Sequence, residues 1–282
     1  MIKRYRRTVV SQYVLVGVVL LTLIMLGFLS AFVMRAVPFV DHFAIPWAAG
    51  RAWLLDGVNP YDPGVAQLAE EAIADAGYLG RLPEQEVLIQ PLINLFFFLP
   101  FSLIPYPISR MIWVVVLVVC TGFFVNFSIK FSEWKLSITE KIAIVLLLIL
   151  WFPVIYAVLT GRLSLILIFL LLTGLYFLKS GNYQAAGFIL ALTAVSMPLS
   201  ILVNILAILW SISKKHWSFI VAYFSGFAFL MIVSLLMLSS WPLDWLRTVL
   251  EAYQGFTWIK TPLMTLALVL PGIANFLSIA LH

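Results

Sequence analysis

"VLIQPLINLFFFLPFSLI", Val87 to Ile104, sets on which side of a membrane every later loop of this chain falls. It is apolar enough to enter a bilayer, yet Pro91, Pro100 and Pro105 punctuate it. A proline inside a helix removes a backbone hydrogen bond and clashes with the preceding turn. The uninterrupted helix is therefore shorter than the roughly 20 residues needed to cross a hydrocarbon core about 30 Å thick. Charge supplies a second criterion. If the stretch does not cross, the face carrying Lys3, Arg4, Arg6 and Arg7 also receives Lys130, Lys135, Lys141, Lys179, Lys214 and Lys215, and nearly all the acidic residues fall opposite. If it crosses, every later loop flips and that bias disappears. The positive-inside rule selects the first arrangement, with a cytoplasmic N-terminus and residues 87–104 juxtamembrane or re-entrant on the outer face.

The rest of the composition agrees with a membrane setting. Of 282 residues, 63% are hydrophobic and 10% charged, with a mean hydropathy of +1.10. A soluble domain is nearer half apolar. The first apolar run, Val9 to Met34, is far longer than the roughly 7–15 residues of a signal-peptide core and reads as a retained helix. Further spans are expected at 108–129, 142–159, 163–178, 183–197, 199–213, 217–238 and 262–281. The expectation is an all-α polytopic protein of the cell membrane, one domain over 1–282, with about eight transmembrane helices. The net charge of +5 sits at segment ends, which suits anionic lipid head groups rather than nucleic acid. The single cysteine, Cys120, forms no intrachain disulfide, and no cluster of Cys and His suggests a metal.

Residues 35–107 form the expected outer loop, with its own juxtamembrane helices. Pro46 to Leu55 reads as a short interfacial helix placing Trp47 and Trp53 at head-group depth, ended by Gly57. "NPYDP" (59–63) is a turn by composition. Asp62 before Pro63 starts a second helix, roughly 63–76, stopped by Gly77. Its apolar face is Val65, Leu68, Ala72 and Ile73, with Glu70 and Glu71 on the solvated side. A later amphipathic candidate carries Leu243, Leu246, Val249, Leu250 and Tyr253, ended by Gly255.

An Asp just after the first helix, an aromatic-and-alanine helix and "LLDGVNPYDP" (54–63) together resemble glycosyltransferase family 87, in the C superfamily. "IQPLINLFFFLPFSLIPYPISRMIW" (89–113), the "TGRLS" loop (160–164) and "SMPLS" (196–200) extend the resemblance over roughly residues 10–260. It implies a polyprenyl-phosphate-sugar-dependent transferase, mannosyltransferases being typical, working at the cell envelope without a cofactor. Three positions depart from the family pattern: Ile89-Gln90-Pro91 stands for Tyr-Pro-Pro, Arg162 for the usual Gln after Gly161, and Met197 for the usual Lys before Pro198. Members commonly run several helices further. The alternative is thus a catalytically silent relative that serves as a structural subunit of a membrane complex.

Sugar transfer from a lipid-linked phosphate needs a base for the acceptor hydroxyl and positive charge or donors for the leaving phosphate. The resemblance implies an inverting reaction, for which one carboxylate base suffices. Asp41, at the outer boundary of the first helix, is the expected base, and the bland alternative is a polar residue marking the membrane edge. His42, Arg51, Tyr61, Arg81, Gln90, Arg162 and Lys260 are the candidate contacts to the lipid-linked donor and the lipid or glycan acceptor. Arginine suits phosphate because its fork can bind two oxygens, although each of these cations also suits snorkelling to head groups. The expected spans carry no charge beyond Arg110 at one end, which argues against an ion-coupled carrier.

Overall fold

The computed structural model describes residues 2–83, 88, 90–194 and 197–254. Helix α1 (Ile2–Ala36) leaves Met25, Phe28 and Phe32 exposed along one side, as a lipid-facing helix does. The chain then runs as a two-residue strand, β1 (Phe39–Val40), into α2 (Ala44–Asp56) and α3 (Gly64–Asp75). Strand β2 (Gly80–Arg81) pairs in parallel with β1, Phe39 opposite Gly80 and Val40 opposite Arg81. This small sheet was not expected in an all-α chain. It forms because Leu79 N–H bonds the Met34 carbonyl (2.9 Å), drawing the returning chain against the end of α1.

Residues 90–104 hold no helix long enough to span. They fold as two one-turn helices, α4 (Leu92–Leu95) and α5 (Leu99–Ser102), with Leu92, Leu95 and Phe98 fully buried. Beyond it, α6 (Tyr106–Phe131) is long and apolar. A capping box between Ser137 and Glu140 starts α7 (Ile138–Leu150), and α8 (Phe152–Leu159) follows after a 61° bend. Pro153, in the first turn of α8, cannot donate to the preceding helix and so marks the break.

The remaining helices are α9 (Ser164–Lys179), α10 (Tyr183–Thr193), α11 (Met197–Ser213), α12 (Trp217–Met237) and α13 (Trp241–Gln254). Helix α10 lies directly on α12: a Cβ at Gly187 would stand 2.6 Å from the Phe219 carbonyl oxygen. Small residues (Gly187 and Ala191 against Ala222 and Gly226) let the two backbones approach this closely, as lipid-embedded helices do.

Among the described residues, three helices are long and apolar enough to cross a membrane, or four if α7 and α8 make one bent span. About eight were expected. The difference lies in α9, α10 and α11, which have 16, 11 and 17 residues. At a rise of about 1.5 Å per residue none reaches about 30 Å. The expected span at 262–281 lies outside the described residues.

The loop between α1 and α6 also differs from expectation in one respect. Helix α2 buries its first two turns in the protein and leaves Leu54 and Leu55 exposed at its end. Ala44, Ala48 and Ala49 are fully buried, and Trp47 is 3% exposed, its indole N–H shared between the Phe101 and Ile104 carbonyls at 3.1 Å each. The α5 turn covers this buried face, while Arg51 and Trp53 remain half-buried. Helix α3 matches its expected pattern: Val65 and Ile73 face inward, Asp62 Oδ1 accepts the Gly64 N–H (2.8 Å), and Glu70 and Glu71 are exposed.

Candidate active site

The backbone places Asp41 before any side chain does. Its N–H donates to the Arg81 carbonyl (2.9 Å), extending the β1–β2 ladder by one bond. The next N–H, of His42, donates to the Thr160 carbonyl at 2.8 Å, tying the segment to the end of α8. That helix closes in a Schellman motif: Arg162 N–H bonds the Ala157 carbonyl (2.9 Å) and Gly161 N–H bonds that of Val158 (3.2 Å). Gly161 is left-handed at φ 71°, and a Cβ there would lie 2.9 Å from the Phe43 Cβ and 3.1 Å from the Arg110 Cζ. Only glycine satisfies both demands.

Within this frame the Asp41 carboxylate is fully buried and fully engaged. Oδ1 accepts the Phe43 N–H (2.8 Å), while Oδ2 accepts the Tyr106 hydroxyl (2.5 Å) and the Arg110 Nε–H (3.0 Å). Arg110 is buried as completely as Asp41. Its Nη2 donates to the Leu159 carbonyl, a natural place for a cation at a helix C-terminus. Its Nη1 has no partner among the described residues. Phe43, Phe98, Phe101, Tyr106 and Trp113 enclose the pair in a continuous aromatic packing, and Trp113 donates to the Gly161 carbonyl (2.9 Å).

Just outside the seal, His42 Nε2 meets Arg162 Nη2 at 3.2 Å. A guanidinium only donates, so this imidazole nitrogen accepts and Nδ1 carries the proton. Burial, then the Arg162 charge, then that of Arg110 lower the His42 pKa, with Asp41 opposing them. Arg162 is exposed and also lies over the Tyr156 ring.

Of the expected site residues, then, Asp41, His42 and Arg162 come together, and Arg81 joins through its backbone. Arg51 lies elsewhere, donating to the Ser102 carbonyl (3.2 Å) beside the Trp47 ring. Tyr61 and Gln90 form a separate group through a bond from the Tyr61 hydroxyl to the Gln90 carbonyl (3.1 Å). Lys260 lies outside the described residues. Tyr106 was not among the expected residues, and Arg110 was expected only as the one charge at the end of a span. The signal was present in Arg110 itself: a charge within an otherwise uncharged span requires a partner.

Apolar helices of spanning length and a loop-built cluster of ionisable groups at their ends describe a membrane protein with a polar site at the edge of the hydrocarbon. The family model of glycosyltransferase family 87 matches residues 89–275, about two thirds of the chain, and the chain belongs to that family. No curated protein and no solved structure matches it. The matched region contains Tyr106, Arg110 and Arg162, whereas Asp41 and His42 precede it. The family makes this a membrane glycosyltransferase.

Proposed function

We propose that the chain moves a sugar, mannose in the first instance, from a polyprenyl-phosphate donor to a lipid or glycan acceptor at the outer face of the cell membrane, with Asp41 as general base. The observation that carries this reading is the convergence of one carboxylate with an exposed cation, Arg162, at the ends of α1, α6 and α8. The acceptor hydroxyl attacks the sugar C1 as the bond from C1 to the phosphate oxygen breaks, and its proton passes to Asp41 Oδ2. Arg162 meets the departing phosphate, whose negative charge needs donors. In the arrangement described, the Tyr106 hydroxyl occupies the position that an acceptor hydroxyl must take on Oδ2. Displacement of Tyr106 on substrate binding is therefore part of the proposal.

A second reading has its own observation. A carboxylate with both oxygens satisfied and no exposure is well suited to anchoring the loop after α1. That suits a catalytically silent relative serving as a subunit of a membrane assembly. Asp41→Asn separates the two. For a base, turnover of polyprenyl-phosphate mannose or glucose in a lipid-extract assay falls about 10²–10⁴-fold while the variant remains folded. A folded variant that still turns over within a few-fold of the parent removes Asp41 from the mechanism. No transfer by the parent chain, together with a stoichiometric copurifying partner, favours the subunit.

A further inference from the structure

We propose that the exposed side of α8 and Arg162 beyond its end form a docking surface for a polyprenyl phosphate, the hydrocarbon chain along the helix and the phosphate on the guanidinium. The inference rests on the glycosyltransferase reading for the identity of the lipid. Helix α8 has 8 residues, about 12 Å at a rise of about 1.5 Å each, and leaves α7 at a bend of 61°. Val154 and Ala157 turn into the protein, whereas Trp151, Phe152, Ile155 and Tyr156 are exposed. Positions four apart share a helix face, so these four side chains make one apolar stripe. The Phe152 and Tyr156 rings stack with centroids 6.0 Å apart, and the Arg162 Cζ stands 5.3 Å from the centre of the Tyr156 ring. Arg162 in turn meets His42. Every member of this series is exposed or half-buried, so the surface is open along its length.

The stripe alone fits any lipid, and its polar end selects the occupant. Both ion pairs among the described residues leave Arg162 out. One of its donors goes to His42, and the others have no acceptor among the described residues. The carbonyls that close α8 would repel an anion, but each already accepts a hydrogen bond: Leu159 from Arg110 Nη2, Thr160 from the His42 N–H and Gly161 from Trp113. Helix α9 starts at Ser164 and adds the positive end of its dipole two residues beyond Arg162. An anionic head on an apolar tail answers both parts, and phosphate suits the planar fork by accepting from it twice. A neutral head leaves the guanidinium unpaired. A phospholipid with two acyl chains needs more apolar width than one stripe offers, which favours a phosphate on a single chain. Docked in this way, the phosphate lies beside His42, one residue from Asp41, and the lipid reaches the site sideways from the bilayer. The competing occupant is bulk lipid, with Arg162 snorkelling to whichever head group is near.

The test uses the full chain in phosphatidylcholine nanodiscs and undecaprenyl phosphate carrying a diazirine on its chain, with labelled peptides mapped by mass spectrometry. Saturable labelling within residues 151–156 is expected. Excess unmodified undecaprenyl phosphate should abolish it, while the same excess of undecaprenol or phosphatidylglycerol should not. Arg162→Gln should reduce it about ten-fold or more, the loss of one or two charge-assisted hydrogen bonds. Arg162 is exposed, so the variant should keep the parent's thermal midpoint, and the undecaprenol arm reads the head group's part in the parent itself. Labelling that does not saturate, or that phosphatidylglycerol removes as well as undecaprenyl phosphate does, overturns the docking surface. Sugar transfer by a parent chain whose α8 labelling does not saturate removes the surface and leaves the glycosyltransferase reading standing. Saturable, phosphate-dependent labelling in a chain that transfers no sugar upholds the surface and removes that reading.

Discussion

The described residues contain two ion pairs, and they sit in opposite circumstances. Asp41 and Arg110 are both fully buried at 3.0 Å, whereas Lys179 and Glu133 meet at 2.8 Å with side chains 46% and 76% exposed. The shorter distance does not make the stronger commitment. Exposed pairs are screened by water and salt and contribute little. A buried pair has given up far more hydration, and its worth to the fold depends on every remaining lone pair and proton being matched. Asp41 meets that condition completely, Arg110 nearly so. The buried pair is therefore the point at which the chain is most sensitive to single substitutions.

The sharpest way to break this contrast is Arg110→Met. It leaves the Asp41 carboxylate buried with only Tyr106 and the Phe43 N–H, and breaking a buried pair from one side typically costs about 3–5 kcal/mol. Equilibrium unfolding in detergent should show a loss of that size. Combining it with Asp41→Asn should recover part of the loss, because no uncompensated charge then remains. A double variant as unstable as the single would show that Arg110 acts through packing alone.

Gly161→Ala should rank next. It places a Cβ in a left-handed residue and drives it toward Phe43 and Arg110. A non-glycine residue held in such a conformation costs on the order of 1–3 kcal/mol, and the shifted guanidinium should also alter turnover. Unchanged stability and unchanged activity would mean that the α8 turn does not hold the pair in place.

His42 makes the stability of the buried site depend on pH. Its folded pKa is lowered by burial, Arg162 and Arg110 against the opposing Asp41 charge. The unfolded chain therefore takes up the proton first as pH falls. The stabilising contribution of the neutral imidazole is complete above the ordinary histidine value of about 6.5 and is lost as pH drops through the lowered folded value. His42→Gln should flatten the stability profile between pH 7 and 5. A parent profile already flat in that window would contradict the burial of a neutral imidazole beside Arg162.

Much of this was legible in the sequence, and the illegible parts share a cause. Pro91 and Pro100 stop residues 87–104 from spanning through local sterics, which are visible in the sequence. Gly57 and Gly77 end helices where expected for the same kind of reason. Asp41 stood out because a carboxylate at the end of a long apolar run is conspicuous. Its partners did not, because Tyr106 and Arg110 lie 65 and 69 positions away and only the tertiary fold joins them. Trp47 was misplaced for the same reason: an aromatic near a membrane edge suits head groups unless another segment covers it, and α5 does. Helices α9 to α11 were expected as spans from apolar composition, which does not fix length: they have 16, 11 and 17 residues, while α11 still leaves Leu202, Leu206 and Leu209 exposed. At Gln90 a substrate contact was expected, and the structure shows its backbone carbonyl accepting the Tyr61 hydroxyl, a pairing of residues 29 positions apart that only the tertiary fold makes.

The smallest effect belongs to the exposed pair. A hydrogen bond from Lys179, and then its charge, hold the Glu133 carboxyl below its ordinary pKa. That contribution is present above the ordinary carboxylate range and fades as pH falls through the lowered value. Lys179 Nζ also donates to the Phe131 carbonyl (2.7 Å) and so keeps a partner when the carboxylate is neutralised. Glu133→Gln should therefore leave the thermal midpoint unchanged within error at about 0.15 M salt, where charges are screened within about 8 Å. At about 0.01 M the screening length grows to about 30 Å, and any difference from the parent should emerge there first. A loss approaching that of Arg110→Met, in either buffer, would mean that burial is not what separates the two pairs. An unchanged midpoint beside an unstable Arg110→Met would place the difference in the environment of the charges, since the exposed pair has the shorter contact of the two.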